Sequence, residues 1–226
     1  MIIVHHLENS RSQRILWLLE ELGVPYEVRA YARNAETMLG PDGLEKLHPL
    51  GKWPVIEHEG RVLAESGAIV EYLIDRVGPG RLAPPGGDAN LDYLYWLHFA
   101  EATMQPNLVM MLVLSEMPKR APALVRPVLK AACDKAMAML TEPRLKRQMT
   151  VINERLKTHR WFAGEDISGA DIMMSFALET GLSRSPDMVA KYPHVADWVR
   201  RIQAREAYRD ALKKGGEYKY LLAPAR

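Results

Sequence analysis

The stretch HHLENSRSQRILWLLEELGVPYEV, His5 to Val28, decides the fold. It begins at the end of an apolar run, Met1 to His5, that reads as a strand; it breaks at a polar knot and continues as a helix. Within the helix Ile15, Leu18, Leu19 and Leu22 recur at the helical period, and Gly23 and Pro25 stop it. Tyr26 to Tyr31, YEVRAY, then alternates like a second strand. Strand, helix, strand at this connection length is a βαβ unit.

Downstream, after an irregular stretch with Gly40, Pro41 and Gly43, the segments PVIEH and RVLA flank Glu59 and Gly60. They predict an antiparallel hairpin with a tight turn. Ser66 is the expected cap of a helix with Ile69, Val70, Leu73 and Ile74 on its apolar side, ended by Gly78, Pro79 and Gly80. Residues 1–82 therefore spell β-α-β, then β-β-α. GPGRLAPPGGD, which contains Pro84 and Pro85, reads as a linker.

Residues 88–226 carry no strand signal and read as an all-helical domain. Leu91, Tyr95, His98, Phe99 and Ala102 share one helical face, a long helical segment runs from about Ala123 to His159, and another spans Asp197 to Lys213. One helix start is well specified. In DISGADIMM, Ser168 falls at the N-cap and Asp171 three residues on, with Ile167 and Ile172 spaced for a hydrophobic staple.

Composition narrows the function classes. Thirty basic and 28 acidic residues, mixed along the chain, give a net charge of +2, which argues against a nucleic-acid or membrane-surface role. With 48% hydrophobic and 26% charged residues, the chain can bury a real core. No secretory signal or membrane-length apolar run is seen. Cys133 is the only cysteine, so no disulfide or CxxC pair forms and a cytoplasmic setting is expected. His5 and His6 alternate across a strand and His48 and His98 lack ligand spacing, so structural roles are expected and no metal. Cys133 reads as a buried filler.

Taken in order, NSRSQR at the first helix, HPLGKWPVI before the hairpin, AESGAIVEYL after it and ISGADI in the helical half resemble the motifs of the glutathione transferases over essentially the whole chain. The resemblance implies a thioredoxin-like first domain that binds glutathione and a helical second domain that lines the electrophile site. It implies a cis bond between Trp53 and Pro54, with the Trp53 backbone pairing with the cysteinyl part of glutathione. It places Lys52 near the glycyl carboxylate, and Glu65 and Ser66 at the γ-glutamyl end. Trp53 departs from the small β-branched residue common in the family and is expected to narrow the site. A homodimer is also implied, with Glu101 reaching toward the partner's glutathione.

Ser10 is the first choice for the residue that activates the thiol; Asn9 or Ser12 takes the role if the register shifts. A hydroxyl that donates to a thiolate supplies about 1.5–3 kcal/mol, whereas a helix dipole supplies about 0.3–1 kcal/mol. Lowering a thiol pKa by two units needs about 2.7 kcal/mol, so the hydroxyl is the larger contributor. Arg14 is expected either to add positive potential at the site or to pair with Glu20 or Glu21. Met104, Asn107, Met110 and Met111 are the candidates to line the electrophile pocket, since thioethers adapt to varied shapes; a core role is the competing reading for the methionines.

The expected activity is conjugation of the glutathione thiolate to small hydrophobic electrophiles. The alternatives are a glutathione-dependent peroxidase, disulfide reductase or isomerase, or a non-catalytic binding module on the same fold.

Overall fold

The computed structural model describes residues 1–34, 36–37, 39–78, 80–83, 86–183 and 186–223. Pro79, Pro84 and Pro85, singled out above as helix-stop and linker residues, lie outside them. Strand β1 (Ile2–Leu7), helix α1 (Gln13–Leu22) and strand β2 (Tyr26–Tyr31) form the βαβ unit; β3 (Val55–His58), β4 (Arg61–Ala64) and α2 (Ser66–Arg76) complete the sheet region. The strands run in the order β2-β1-β3-β4, with β1 parallel to β2 and antiparallel to β3. This is a thioredoxin-like arrangement. β1 runs two residues past the expected His5, because His6 and Leu7 stay in register with Ala30 and Tyr31.

Local chemistry accounts for the joints. Gly23 ends α1 with φ +68°, a left-handed conformation that its amide uses to bond the carbonyls of Glu20 and Leu19. Glu59 and Gly60 both have positive φ, +51° and +73°, as a tight hairpin turn between twisted strands requires. Ser66, expected as the N-cap of α2, is the first helical residue instead; Glu65 stands at the N-cap position without a side-chain capping bond, and the Ser66 hydroxyl accepts a hydrogen bond from Arg14.

From residue 88 the described chain is helical. α3 (Asp88–His98) passes through a π-helical turn, Phe99–Met104, into α4 (Gln105–Arg120). α5 (Arg126–Ala136), a second π turn at Met137–Thr141 and α6 (Glu142–Thr158) make the expected long segment. α7 (Gly169–Leu182) follows, then α8 (Pro186–Lys191), α9 (Pro193–Gln203) and α10 (Glu206–Gly215). The single helix expected from Asp197 to Lys213 is thus two. Arg205 turns extended, at ψ 142°, and its guanidinium grips Glu21 on α1, so tertiary contact breaks the helix.

α7 is buried on every face and forms the axis of the helical half. The capping box at its start is present: Asp171 accepts from the amide and hydroxyl of Ser168. The same carboxylate also accepts from the Phe162 amide and the Trp198 indole, which the local pattern does not reveal. The shared face of Leu91, Tyr95, His98, Phe99 and Ala102 lines an open groove of about 430 Å³, with Phe99 also buried in the core. Tyr93, Trp96 and Leu97, on the other side of α3, pack inward. Cys133 is buried and unpaired. No helix among the described residues is long and apolar enough to cross a membrane.

Candidate functional site

The site is built where β1 ends and α1 begins. Between them Asn9 adopts φ +51°, which folds the chain back so that Ser10 and Ser12 face the end of β1. Ser12 is the N-cap residue of α1 but does not cap with its side chain. Its hydroxyl lies 2.8 Å from Nδ1 of His6 and 2.7 Å from the Ser10 hydroxyl, and it accepts the Leu7 amide at 3.1 Å. Ser12 is 0% exposed, so it is sealed from any ligand in this arrangement. Ser10 and Asn9 each keep a sliver of surface, at 7% and 8%. Ser10 Oγ accepts the Ser12 amide, and Asn9 Oδ1 accepts the amide of Lys219 from the C-terminal segment.

That segment is a part of the site the sequence reading missed. Tyr218 donates to the Glu179 carboxylate on α7, and Tyr220 packs edge-on against Phe176 and Tyr218. The alternation of aromatics in EYKYLL was the available signal. His6 was also missed as a site residue, because its contact to Ser12 depends on the chain doubling back.

Arg14 is neither exposed nor paired with Glu20 or Glu21. It is fully buried, bonds Glu101 at 2.5 Å, the Met173 carbonyl at 2.7 Å and Ser66 Oγ at 3.1 Å, and lies over the Phe176 ring. Burial pushes its pKa down and Glu101 opposes that. Although burial works to raise the Glu101 carboxyl, Arg14 and Arg11 hold it below the ordinary carboxylate value. Glu101, the residue that could reach toward a partner's glutathione, bonds Arg11 and Arg14 of its own chain.

The remaining candidates divide. The Trp53–Pro54 bond is cis. Lys52 is exposed, Pro54 is buried, and Trp53 is half-buried with its ring edge-on to Tyr31 and its Nε1 without a hydrogen-bond partner among the described residues. Glu65 is exposed and held at φ +69°, ψ +118°, a conformation that costs a side-chain-bearing residue about 1–3 kcal/mol. Beside it, the first amides of α2 have no intrahelical acceptor, which makes that helix start an anion-friendly place.

Met104, Asn107, Met110 and Met111 are not gathered into one lining. Met104 is fully buried near Gly181, and Asn107 is turned to the Thr141 carbonyl and Gln148. Met110 points to solvent, while Met111 packs partly against the core.

Comparison with known proteins bears on the family and the fold. Residues 1–75 match the family model of the glutathione S-transferase N-terminal domain, and residues 116–206 that of the C-terminal domain. Glutathione S-transferase 3 of Schizosaccharomyces pombe is 33% identical over 219 residues, covering 95% of this chain and 88% of that one. The crystal structure of a glutathione S-transferase from Actinobacillus pleuropneumoniae superposes with a TM-score of 0.75 at 31% identity, covering 95% and 93% of the two chains. A relative of another name, the probable elongation factor 1-gamma 2 of Arabidopsis thaliana, is 24% identical over 192 residues, 83% of this chain and 43% of that protein. With both halves matched and the sheet and helical regions in the same order, this chain belongs to the glutathione S-transferase family.

Proposed function

We propose that the protein conjugates the thiolate of glutathione to small hydrophobic electrophiles, with the Ser10 hydroxyl donating a hydrogen bond to the sulfur. The observation that carries this choice of residue is the division of labour in the loop. Ser12 is sealed against His6 and Leu7, so Ser10 is the hydroxyl of the loop that keeps some surface; Asn9, whose side-chain oxygen holds Lys219, retains its amide N–H as the competing donor.

Glutathione would lie along Lys52, the Trp53 backbone before Pro54, Glu65 and Ser66. Ser66 accepts from Arg14, so its own proton is free for a carboxylate, and exposed Glu65 suits an ammonium. The electrophile side is assigned to the neighbourhood of Phe176 and Tyr220, because the segment bearing Tyr220 bonds the residue next to Ser10. Residues 1–82 and 88–226 would act as the glutathione-binding and electrophile-binding domains. A homodimer fits the open apolar groove of α3, which no part of the chain covers among the described residues. A cytoplasmic setting goes with this reading, since thiols stay reduced there.

The test is a thiolate-absorbance titration of the bound complex. Ser10→Ala should raise the bound thiol pKa and slow conjugation of an aryl halide while glutathione still binds. An unmoved pKa in Ser10→Ala, with a shift in Asn9→Ala, would transfer the role to Asn9. The likeness to elongation factor 1-gamma favours a second reading, a non-catalytic binding module. Tight glutathione binding with no turnover over a panel of aryl halides, peroxides and disulfides would support it. Mass balance on glutathione separates conjugation from isomerisation.

A further inference from the structure

Three side chains form a buried file at the end of β1: Ser10, Ser12 and His6, with Oγ to Oγ at 2.7 Å and Oγ to Nδ1 at 2.8 Å. The position of each proton follows from the partners at the far end. The His6 ring is 2% exposed, and its Nε2 lies against Gly215, so the Nε2–H tautomer is the one we assign. Burial pushes the ring down to about 4, so it is neutral at physiological pH. A neutral ring with its proton on Nε2 has an unprotonated Nδ1, which must accept. Ser12 therefore gives its proton to His6 at 2.8 Å, the shorter of its two acceptors, the Leu7 carbonyl lying 3.2 Å from the same oxygen. Its oxygen accepts the Leu7 amide on one side, so the short contact to Ser10 is made by the Ser10 proton. Every hydroxyl in the file points inward.

We propose that His6 is a positioning residue that holds the Ser10 hydroxyl turned inward until an anion arrives. This rests on the assignment of Ser10 to the sulfur. With the file directed inward, Ser10 presents lone pairs to an arriving thiol and can accept its S–H. Once the sulfur is anionic, only the Ser10 proton needs to turn outward, because Ser12 stays locked to His6. The turn gives up one neutral hydrogen bond and leaves two oxygens facing at 2.7 Å without a proton between them. His6 thus sets how strongly Ser10 favours a thiolate over a thiol.

The direction of the effect distinguishes this from simple support of the loop. Replacing the ring by one without an acceptor, His6→Phe, frees the Ser12 proton, for which the Ser10 oxygen at 2.7 Å is a nearer acceptor than the Leu7 carbonyl at 3.2 Å. Ser10 then donates outward permanently, and the file reinforces it. The bound thiol pKa should fall by about 0.5 to 1 unit, the equivalent of one neutral hydrogen bond. Ser12→Ala should lower it as well, by removing the inward acceptor, while His6→Asn, which can keep an acceptor near Nδ1, should leave it close to the parent value. A ring that serves only to hold the loop predicts the reverse, a pKa raised or unmoved, since a loosened Ser10 donates less well.

The experiment is the thiolate-absorbance titration of bound glutathione for the parent, His6→Phe, Ser12→Ala, His6→Asn and Ser10→Ala proteins. In parallel, ¹⁵N spectra of the histidine-labelled parent report the tautomer directly. A raised pKa in Ser10→Ala with lowered values in His6→Phe and Ser12→Ala supports the proposal. A raised value in Ser10→Ala with no fall in the other two overturns the role of His6 and leaves Ser10 in place. No change in Ser10→Ala removes the Ser10 reading on which it stands. Should His6→Phe not fold, Ser12→Ala and the spectra decide, and a protonated Nδ1 in the parent overturns it.

Discussion

The guanidinium of Arg14 donates to the main-chain oxygen of Met173 across 2.7 Å, joining α1 of the sheet region to the middle of α7. The same group bonds Glu101 of the helical region and Ser66 of the sheet region, so one buried cation is held by both regions of the chain.

Arg14→Met should therefore lower stability by about 3–5 kcal/mol in urea unfolding, the cost of removing one partner from a buried pair. Arg14→Lys should restore little, since an ammonium cannot reach the Met173 oxygen, Ser66 and Glu101 in the plane of a guanidinium. The double substitution Arg14→Met with Glu101→Leu should recover most of the loss. Additive losses in the double variant would contradict the pairing.

The carboxylate of Glu179 accepts from Tyr208, Tyr218 and Gln203 and is pushed by burial up to about 7 from its ordinary 4.5. A carboxyl whose folded value is raised holds its proton more tightly in the folded state. Its contribution to stability is complete below pH 4.5 and is lost as pH rises through about 7. Asp171, pushed up to about 6 by burial, acts in the same sense. His6 acts in the opposite sense: pushed down to about 4 from 6.5, it contributes above 6.5 and fails as pH falls toward 4. The stability difference between the parent and Glu179→Gln isolates the one group. It should shift by about 3 kcal/mol against the parent between pH 4.5 and 7, and a flat difference would refute the assignment.

A methyl group on Gly40 would lie 2.3 Å from the Trp53 ring, too close for any real contact. Gly40→Ala should displace Trp53 and the cis-proline loop that follows it, with a rise in the glutathione KM of about tenfold, or 1.4 kcal/mol of binding. Gly86→Ala, whose methyl group meets nothing within 4 Å, is the control and should leave KM alone. Equal KM values for the two variants would separate Trp53 from glutathione binding.

What could be read in the sequence was local. The period of Ile15, Leu18, Leu19 and Leu22, the turn at Glu59 and Gly60, and the Ser168–Asp171 cap each depend on residues within a few positions, and all three are present. What could not be read depends on partners brought from afar. Serine is a good cap and Ser66 reads as one, but Arg14, 52 positions away, claims its hydroxyl. Composition alone suggests a methionine-lined face here, yet the π turn buries Met104 while the rotation of α4 exposes Met110. The break between α9 and α10 follows from Glu21, 184 positions from Arg205. His6 looked like an ordinary strand residue because nothing within β1 marks a hydroxyl returning from the loop.

α7 has no solvent face: all fourteen residues from Gly169 to Leu182 are buried. Its interior amides have no local route to water, since fraying at an end exposes side chains still enclosed by α1, α2, α3 and α9. Exchange of those amides with deuterium must wait for the whole molecule to open, so their protection measures global stability while the loops exchange independently. The helix is in that sense the molecule's internal clock, and any substitution that speeds it has weakened the fold as a whole.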